Sequence, residues 1–272
     1  MSEAAGPPIG NRQSATGNPS PPWRRPRSRI IVVLPAYNEE ANLGPLLERI
    51  DQAMFENGDD YLVVVVDDGS SDGTSRVAEE HAAHMPIRLQ RHATNEGLGA
   101  TIRDGLLAAA AMAADEDIVV VMDADNSHTP GLIRSIVQRV QEGCDVVIAS
   151  RYRPGSCVRG VPLHRRLLSF AASLLLRVLF PTHGVRDYTC GYRGYRGRAL
   201  RDAVARLGAG LVSEDGFQCM VDILLRLRTM GVVFGEVPLI LRYDLKAGAS
   251  KLRIAPTIIR TLRLAVRRRL GR

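Results

Sequence analysis

Two runs of apolar residues that each end in a pair of carboxylates constrain this chain more than any other feature. VVVMDADNSHTP carries Val119 to Met122 straight into Asp123 and Asp125, and YLVVVVDDGSSDGT ends its valines at Asp67 and Asp68. A short continuous run rich in valine, bounded by turn residues, reads as a strand buried on both faces, the kind found inside a parallel sheet. Unpartnered carboxylates are costly to bury, so each pair must sit where the strand leaves the core. Alternate side chains of an extended strand share a face about 6 to 7 Å apart, so Asp123 and Asp125 converge just beyond their strand. Two such groups repel unless a cation lies between them, and a hard divalent ion, Mg²⁺ or Mn²⁺, suits oxygen ligands that also face phosphates. Aspartate is also an ordinary turn residue after a strand, and DAD alone does not decide between the two.

The rest of the chain repeats the alternation. Strands are expected at 30–35, 61–66, 87–92, 118–122 and 145–149. Helices fall between them, the first over 40–54 with Leu43, Leu46, Leu47 and Ile50 on one face. The second helix opens on capping-type residues in SSDGTSRVAEEHA, and Pro130 stands near the start of the fourth. This is the pattern of an α/β domain with a mostly parallel sheet and helices on both faces. The second half is less regular: a helix at 163–180, a glycine- and tyrosine-rich loop at 187–196, a helix at 216–230, strand segments over 232–243 and a basic helix from 256. The expected domains are a disordered tail (1–28), a catalytic domain (29–252) and a basic amphipathic C-terminal helix (253–272).

The first strand ends in PAYNEE, so Tyr37, Asn38 and Glu39 arrive at the same edge as the aspartates. An aromatic group, carboxylates and glycines gathered at one crevice suit a base and a ribose. Neither a GxxxxGK[ST] loop nor a GxGxxG turn is present, which excludes the P-loop and dinucleotide readings. A phospho-receiver domain would need about half this length and an earlier lysine, and the only lysines are Lys246 and Lys251. The net charge of +7 suits phosphate-bearing partners. It comes without interleaved aromatics, so nucleic acid is not expected. Cys144, Cys157, Cys190 and Cys219 show no CxxC pairing, which fits a reducing cytosol. The opening segment has no apolar core of a secretory signal, and no run is long enough to span a bilayer; Arg177 interrupts the nearest.

VVLPAYNEE, VVVVDDGSSDGT, NEGLGATIRDGL, VVVMDADNSHTP, ASRY and VPLILRYDLKAGASK occur in this order over roughly residues 30–251. The set closely resembles glycosyltransferase family 2, in particular its dolichyl- or polyprenyl-phosphate mannosyltransferase-like branch. The resemblance implies a single GT-A (nucleotide-diphospho-sugar transferase) fold. It also implies nucleotide contacts at Pro35, Tyr37, Glu39, Val66 and Asp68, and a metal and donor-diphosphate motif at Asp123, Ala124 and Asp125. Ser127 stands where some relatives place a third metal ligand. Arg151 matches an arginine at the diphosphate and Lys251 a basic residue of the loop over the donor, which makes Asp125, Arg151 and Lys251 the implied catalytic set. Arg242 matches a further donor contact, with Lys246 as its alternative because RYDLKAG is longer than the family spacing. Arg186 and Arg193 match acceptor-phosphate contacts, and His128 belongs to a pattern that orders the turn.

The function so implied is inverting transfer of a hexose, mannose foremost, from a nucleoside-diphosphate sugar to polyprenyl or dolichyl phosphate at the cytoplasmic membrane face. GDP-mannose is the favoured donor and UDP-glucose the next. One motif points to a hydroxyl acceptor instead: SEDGFQ places Asp215 where such enzymes keep a base, although Glu214 and Asp215 also suit a cap on the following helix. Arginines flank the apolar residues of 167–180. In the last helix Ile258, Ile259, Leu262, Val266 and Leu270 lie opposite Arg260, Arg263 and Arg267. Both patterns fit peripheral contact with an anionic membrane surface, with or without a separate membrane-anchoring partner.

Overall fold

Residues 28–247 and 254–270 are described by the structure, a computed structural model. The expected tail through residue 27 and Lys251 lie outside them. In chain order, β1 (Ile30–Ala36) is followed by α1 (Glu40–Asn57), β2 (Tyr61–Asp67), α2 (Thr74–Ala82), β3 (Ile87–Arg91) and α3 (Leu98–Met112). Then come β4 (Ile118–Val121), α4 (Ile133–Gln141), β5 (Val146–Ser150), β6 (Cys157–Arg159) and α5 (Leu163–Leu179). The last elements are β7 (Arg193–Arg196), α6 (Gly197–Leu207), α7 (Cys219–Arg228), β8 (Phe234–Pro238), β9 (Ile240–Arg242) and α8 (Ile254–Arg269).

The valine runs form the strands expected of them. Seven strands make one sheet in the order β3-β2-β1-β4-β7-β5-β8, parallel except for β7. Val32, Val33 and Leu34 of β1 and Val63 to Val66 of β2 have no exposed surface. Each such side chain contributes about 1.5 to 3 kcal/mol on leaving water. Leu43, Leu46, Leu47 and Ile50 make the buried face of α1, as their spacing predicts. α3 lies over β1 and β2, and α4 over β5, β7 and β8.

Three elements depart from the expectation. β7 runs antiparallel inside the supposed loop 187–196 and joins β4 to β5. It is possible there only because residue 194 is glycine: a Cβ would stand 2.1 Å from Ile136 Cγ2 of α4. α6 follows it directly, and β6 pairs in parallel with β9 in a small second sheet.

After β1 the chain builds outward through β2 and β3, then returns to the other side of β1 as β4. Strand order reverses between β1 and β4, so the loops beyond their carboxyl ends diverge and leave a crevice. Pro35 to Glu39 emerge on one side of it and Asp123 to Ser127 on the other.

Candidate active site

A cleft of about 580 Å³ opens at this reversal. Its floor holds Pro35, Ala36 and the run Asp123–Ala124–Asp125; its walls include Tyr37, Glu39, Asp68, Asp215 and Lys246. The turns after β1 and β4 both pass through the left-handed region, at Asn38 (φ 51°) and Asn126 (φ 62°). Asparagine is among the few non-glycine residues that adopt it readily. Asn38 Oδ1 accepts the Ser71 N–H at 2.9 Å, and Asn126 Oδ1 accepts from Arg49 at 2.6 Å, which fixes both turns.

The two carboxylate pairs are neutralised differently. At the end of β2, Asp67 is fully buried. It accepts the Ser70 N–H at 2.9 Å and the Ser75 hydroxyl. Asp68 accepts the Glu96 and Gly97 N–H groups at 2.8 and 2.9 Å and contacts His92 Nδ1 at 2.8 Å. At the end of β4 the second carboxylate meets a cation: Lys246 Nζ donates to Asp125 Oδ2 at 2.6 Å. Partial desolvation in the cleft pushes the Asp123 carboxyl up, and the adjacent Asp125 charge adds to this. Burial acts the same way on Asp125, but Lys246 outweighs it and holds that carboxyl low. The same carboxylate raises the Lys246 ammonium against the opposing effect of its burial.

Ser127 donates both its N–H (3.1 Å) and its hydroxyl (2.6 Å) to Asp125 Oδ1. It thereby orients that carboxylate. His128 Nδ1 accepts the Asp123 N–H at 3.1 Å, so its Nε2 carries the proton and lies 3.8 Å from Asp123 Oδ2. Its ring stacks on Tyr192 with centroids 4.8 Å apart. It orders the turn, as expected.

Several expected residues are elsewhere. Val66 is buried in the core and gives the cleft no side chain. Arg242 is turned away and held by Asp244 at 2.8 Å, so of the two alternatives Lys246 is the one in the cleft. Asn42 keeps it there: its side chain accepts the Ala247 N–H at 2.8 Å and donates to the Ala247 carbonyl at 3.1 Å. Arg193 has no exposed surface. Its guanidinium donates to the carbonyls of Cys190 (2.8 Å), Met220 (2.7 Å) and Tyr188 (2.9 Å), so it braces β7 and is corrected from an acceptor contact to a structural one. Arg186 is exposed and does not line the cleft. Glu214 and Asp215 do not cap α7, which has no side-chain cap; Glu214 instead pairs with Arg267 of α8. The exposed Asp215 lines the cleft, and its carbonyl accepts the Gly99 N–H at 2.8 Å.

Arg151 reaches the cleft wall but is already partnered. Its guanidinium makes two bonds to the fully buried Asp187, at 2.7 and 2.8 Å. Sequence reasoning passed over Asp187, although it lies inside the motif whose arginines drew attention. It also missed Arg165 and Ser169 of α5, which line the cleft and a second cavity of about 320 Å³ between α5 and the small sheet. Burial leaves the Arg165 Nε with no hydrogen-bond partner among the described residues.

A mostly parallel seven-stranded sheet with acidic groups gathered at its reversal point is the architecture of a GT-A glycosyltransferase. The chain belongs to glycosyl transferase family 2, whose model matches residues 31–203. It is 34% identical over 245 residues to the polyprenol monophosphomannose synthase of Mycolicibacterium smegmatis, an alignment covering 89% of this chain and 88% of that one. It is 35% identical over 236 residues to the dolichol-phosphate mannosyltransferase of Pyrococcus furiosus, covering 86% of this chain and 62% of that one. Among solved structures, glucosyl-3-phosphoglycerate synthase of Mycobacterium tuberculosis, in complex with Mn²⁺, UDP and phosphoglyceric acid, shares the fold. Its TM-score is 0.61 at 22% identity, over 92% of this chain and 85% of that one.

The Arg151–Asp187 pair gives a direct stability test. Burial raises the Asp187 carboxyl, but the Arg151 charge and hydrogen bonds outweigh this and hold it below its usual value. Such a group stabilises the fold fully above the unfolded carboxylate's pKa, about 4, and that contribution is lost as pH falls toward the lower folded value. Asp187→Asn should cost about 3 to 5 kcal/mol in urea unfolding at pH 7, because it leaves a buried guanidinium unpaired. The variant should also lose less stability than the wild type between pH 5 and pH 3, a window set by that same linkage.

Proposed function

We propose that this chain transfers a hexose, mannose in the first instance, from a nucleoside-diphosphate sugar to a polyprenyl or dolichyl phosphate by a single inverting displacement. GDP-mannose is the donor we favour over UDP-glucose, because the named relatives are mannosyltransferases. The observation that carries the acceptor is the junction of the two cavities. The cleft and the groove along α5 share Arg151, Val161, Arg165, Ser169 and Leu241. An anionic head placed there would meet the positive charge of Arg165, which lines both cavities, while a chain attached to it lies along Leu163, Leu167 and Phe170.

In this reading Pro35, Tyr37, Glu39 and Asp68 receive the nucleoside, and Lys246 and Arg151 face the diphosphate, joined by Lys251 on the strength of its motif. The oxygen donors of Asp123 and Asp125, with an ammonium already seated on one of them, fit a hard divalent ion such as Mg²⁺ or Mn²⁺. When bound, it supplies charge stabilisation for the departing diphosphate. An acceptor phosphate oxygen attacks the anomeric carbon as the bond to the donor's β-phosphate oxygen breaks, and the electron pair leaves with the nucleoside diphosphate. The acceptor arrives ionised, so no proton has to be removed. A hydroxyl acceptor is the second reading, favoured by the exposed Asp215 on the cleft wall.

The surroundings of the groove support a peripheral place on a membrane, which this reading puts on the cytoplasmic face. Among the described residues no helix is long and apolar enough to cross one. Yet α5 exposes Leu163, Leu167, Phe170 and Val178, and α8 exposes Ile259, Leu262 and Val266, with Leu270 just beyond it. The two helices touch, so these side chains and their arginines form neighbouring surfaces.

Incubation with labelled GDP-mannose and a short polyprenyl phosphate should yield a lipid-linked sugar. EDTA should abolish the transfer, Mg²⁺ or Mn²⁺ should restore it, and Asp125→Asn should slow it by about a hundredfold or more while the protein stays folded. Full activity in chelator would sink the metal assignment, and a blank across a panel of nucleotide sugars would sink the donor reading.

Arg165→Leu should raise KM for the lipid phosphate by about tenfold or more, the effect of losing one charge-assisted bond, and leave nucleotide affinity unchanged. Asp215→Asn should cost less than about tenfold; a thousandfold loss in a folded variant would be the mark of a general base and a hydroxyl acceptor. The protein should sediment with anionic vesicles at low salt and be partly released at high salt. Absence from the vesicle pellet at low salt would end the membrane reading.

A further inference from the structure

Asp68, on the nucleoside side of the cleft, is held by a residue that none of the motifs singles out. His92 follows β3 directly, and its side chain is 6% exposed. Its N–H bonds the Asp67 carbonyl at 2.9 Å, which anchors the residue beside the end of β2. Nδ1 lies 2.8 Å from Asp68 Oδ1, and Nε2 lies 3.1 Å from Asp104 Oδ2 on α3. An ionised carboxylate only accepts, and a neutral imidazole has one N–H to give. Only the imidazolium serves both partners at once.

The charges around the ring come from every element that packs on it. Asp67 and Asp68 end β2, and Arg91 of β3 stands 3.9 Å from Asp67. Glu96 precedes α3, and α3 contributes Asp104 and Arg103. Arg103 lies 2.8 Å from Asp104 and 3.9 Å from Glu96. His92, Glu96 and Asp104 bring donor atoms within 4.8 Å of one another, a spacing at which the positive charge is already supplied by Arg103 and the ring itself. Burial lowers the ring's hold on its proton, but the hydrogen bond to Asp68 and the charges of Glu96, Asp68 and Asp104 outweigh it and raise its pKa.

Asp68 is thereby almost fully committed. Of its roughly four acceptor positions, the Glu96 and Gly97 amides and the His92 ring take three, and the carboxylate lines the cleft. We propose that His92 is a positioning residue: clamped as an imidazolium between Asp68 and Asp104, it fixes the Asp68 carboxylate for the nucleoside of the donor. This rests on the reading that a nucleoside diphosphate binds on that side. Loss of the ring proton turns a lone pair toward one of the two carboxylates, so the clamp opens at one end and donor affinity falls.

The test is calorimetric binding of GDP and of UDP, with Mg²⁺, to the intact protein across neutral and alkaline pH. Alongside it, ¹⁵N NMR of the histidine side chains reads the ring directly. The wild type should bind nucleotide about fivefold or more weakly once the ring is neutral, within the usual range of coupling between linked sites. Asp104→Asn removes one charge that favours the imidazolium, so it should move that alkaline limb to lower pH. His92→Gln should remove the limb and raise donor KM, with kcat within about twofold, since the lost interaction is one of binding. A neutral His92 ring at pH 7, or a limb that Asp104→Asn leaves in place, overturns the proposal. If neither nucleotide binds at any pH, the donor reading fails, and the ring titration still decides separately whether the clamp exists.

Discussion

The repulsion between Asp123 and Asp125 at the end of β4 sets the terms for the rest of the molecule. At the end of β2 the second pair is settled by serines of the following turn and α2 and by amides and a histidine of the segment after β3. At β4 the nearest cation comes from a segment 121 residues further on, Lys246. Bringing it back requires β8 to add to the far edge of the sheet and β9 to run beside the turn, where the Arg242 N–H bonds the Ser127 carbonyl at 2.8 Å. Asn42 then clasps Ala247 to α1. Charge compensation at one strand end is thus what closes the later part of the chain over the earlier part.

The halves of the chain differ in how much their sequence discloses. Strands β1, β2, β4 and β5 are legible because burial on both faces forces an unbroken apolar run, which few other structures require; β3, IRLQR, is half-exposed and legible only from its place in the alternation. β7 is illegible for the opposite reason: RGYR carries two arginines and a glycine. It becomes a strand only because its neighbours β4 and β5 each leave an open edge and Ile136 leaves room for no side chain at Gly194. Arg193 misled for a related cause. An arginine in a glycine-rich segment looks the same in sequence whether it reaches a phosphate or three backbone carbonyls, and only burial separates the two. Lys246 was visible as an alternative through an irregular spacing, but the contact with Asp125 depends on a fold-level return that spacing does not encode.

Arginine also qualifies what net charge means here. Its guanidinium stays charged when buried and offers donors in a rigid fork, so a fold can use it as an internal brace in a way lysine seldom permits. Arg193 serves the carbonyls beneath β7, Arg151 serves Asp187, and Arg268 of α8 serves the buried Asp222 at 3.0 Å. Arg193 and Arg268 belong to the scaffold, and Arg151 joins that role to a place on the cleft wall. The two pairs with aspartate leave the formal excess of +7 unchanged, whereas Arg193, held by carbonyls, is a positive charge withdrawn from any anionic partner. The distribution of the rest, beside the exposed apolar stripes of α5 and α8, is more informative than the total.

Those stripes reverse the usual reading of an amphipathic helix. Among the described side chains of α8 the buried positions are Thr261, Leu264 and Ala265, while Ile259, Leu262 and Val266, and Leu270 just beyond the helix, face outward. The apolar side evident from sequence is therefore the side that the described residues do not cover. The inner side carries Arg268, which binds Asp222 of α7, and its neighbour Arg267 binds Glu214. Glu214 and Asp215 in turn rest on Gly99, where a Cβ would meet the Glu214 carbonyl oxygen at 1.8 Å, so that loop cannot shift without moving against α3. The part of the cleft around Asp68 is thus built into the sheet, and the 214–215 loop that packs beside it is tied by an ion pair to a helix whose apolar face the described residues leave uncovered. On the proposed function, that coupling links the site where β4 ends to the surface from which a lipid acceptor would arrive.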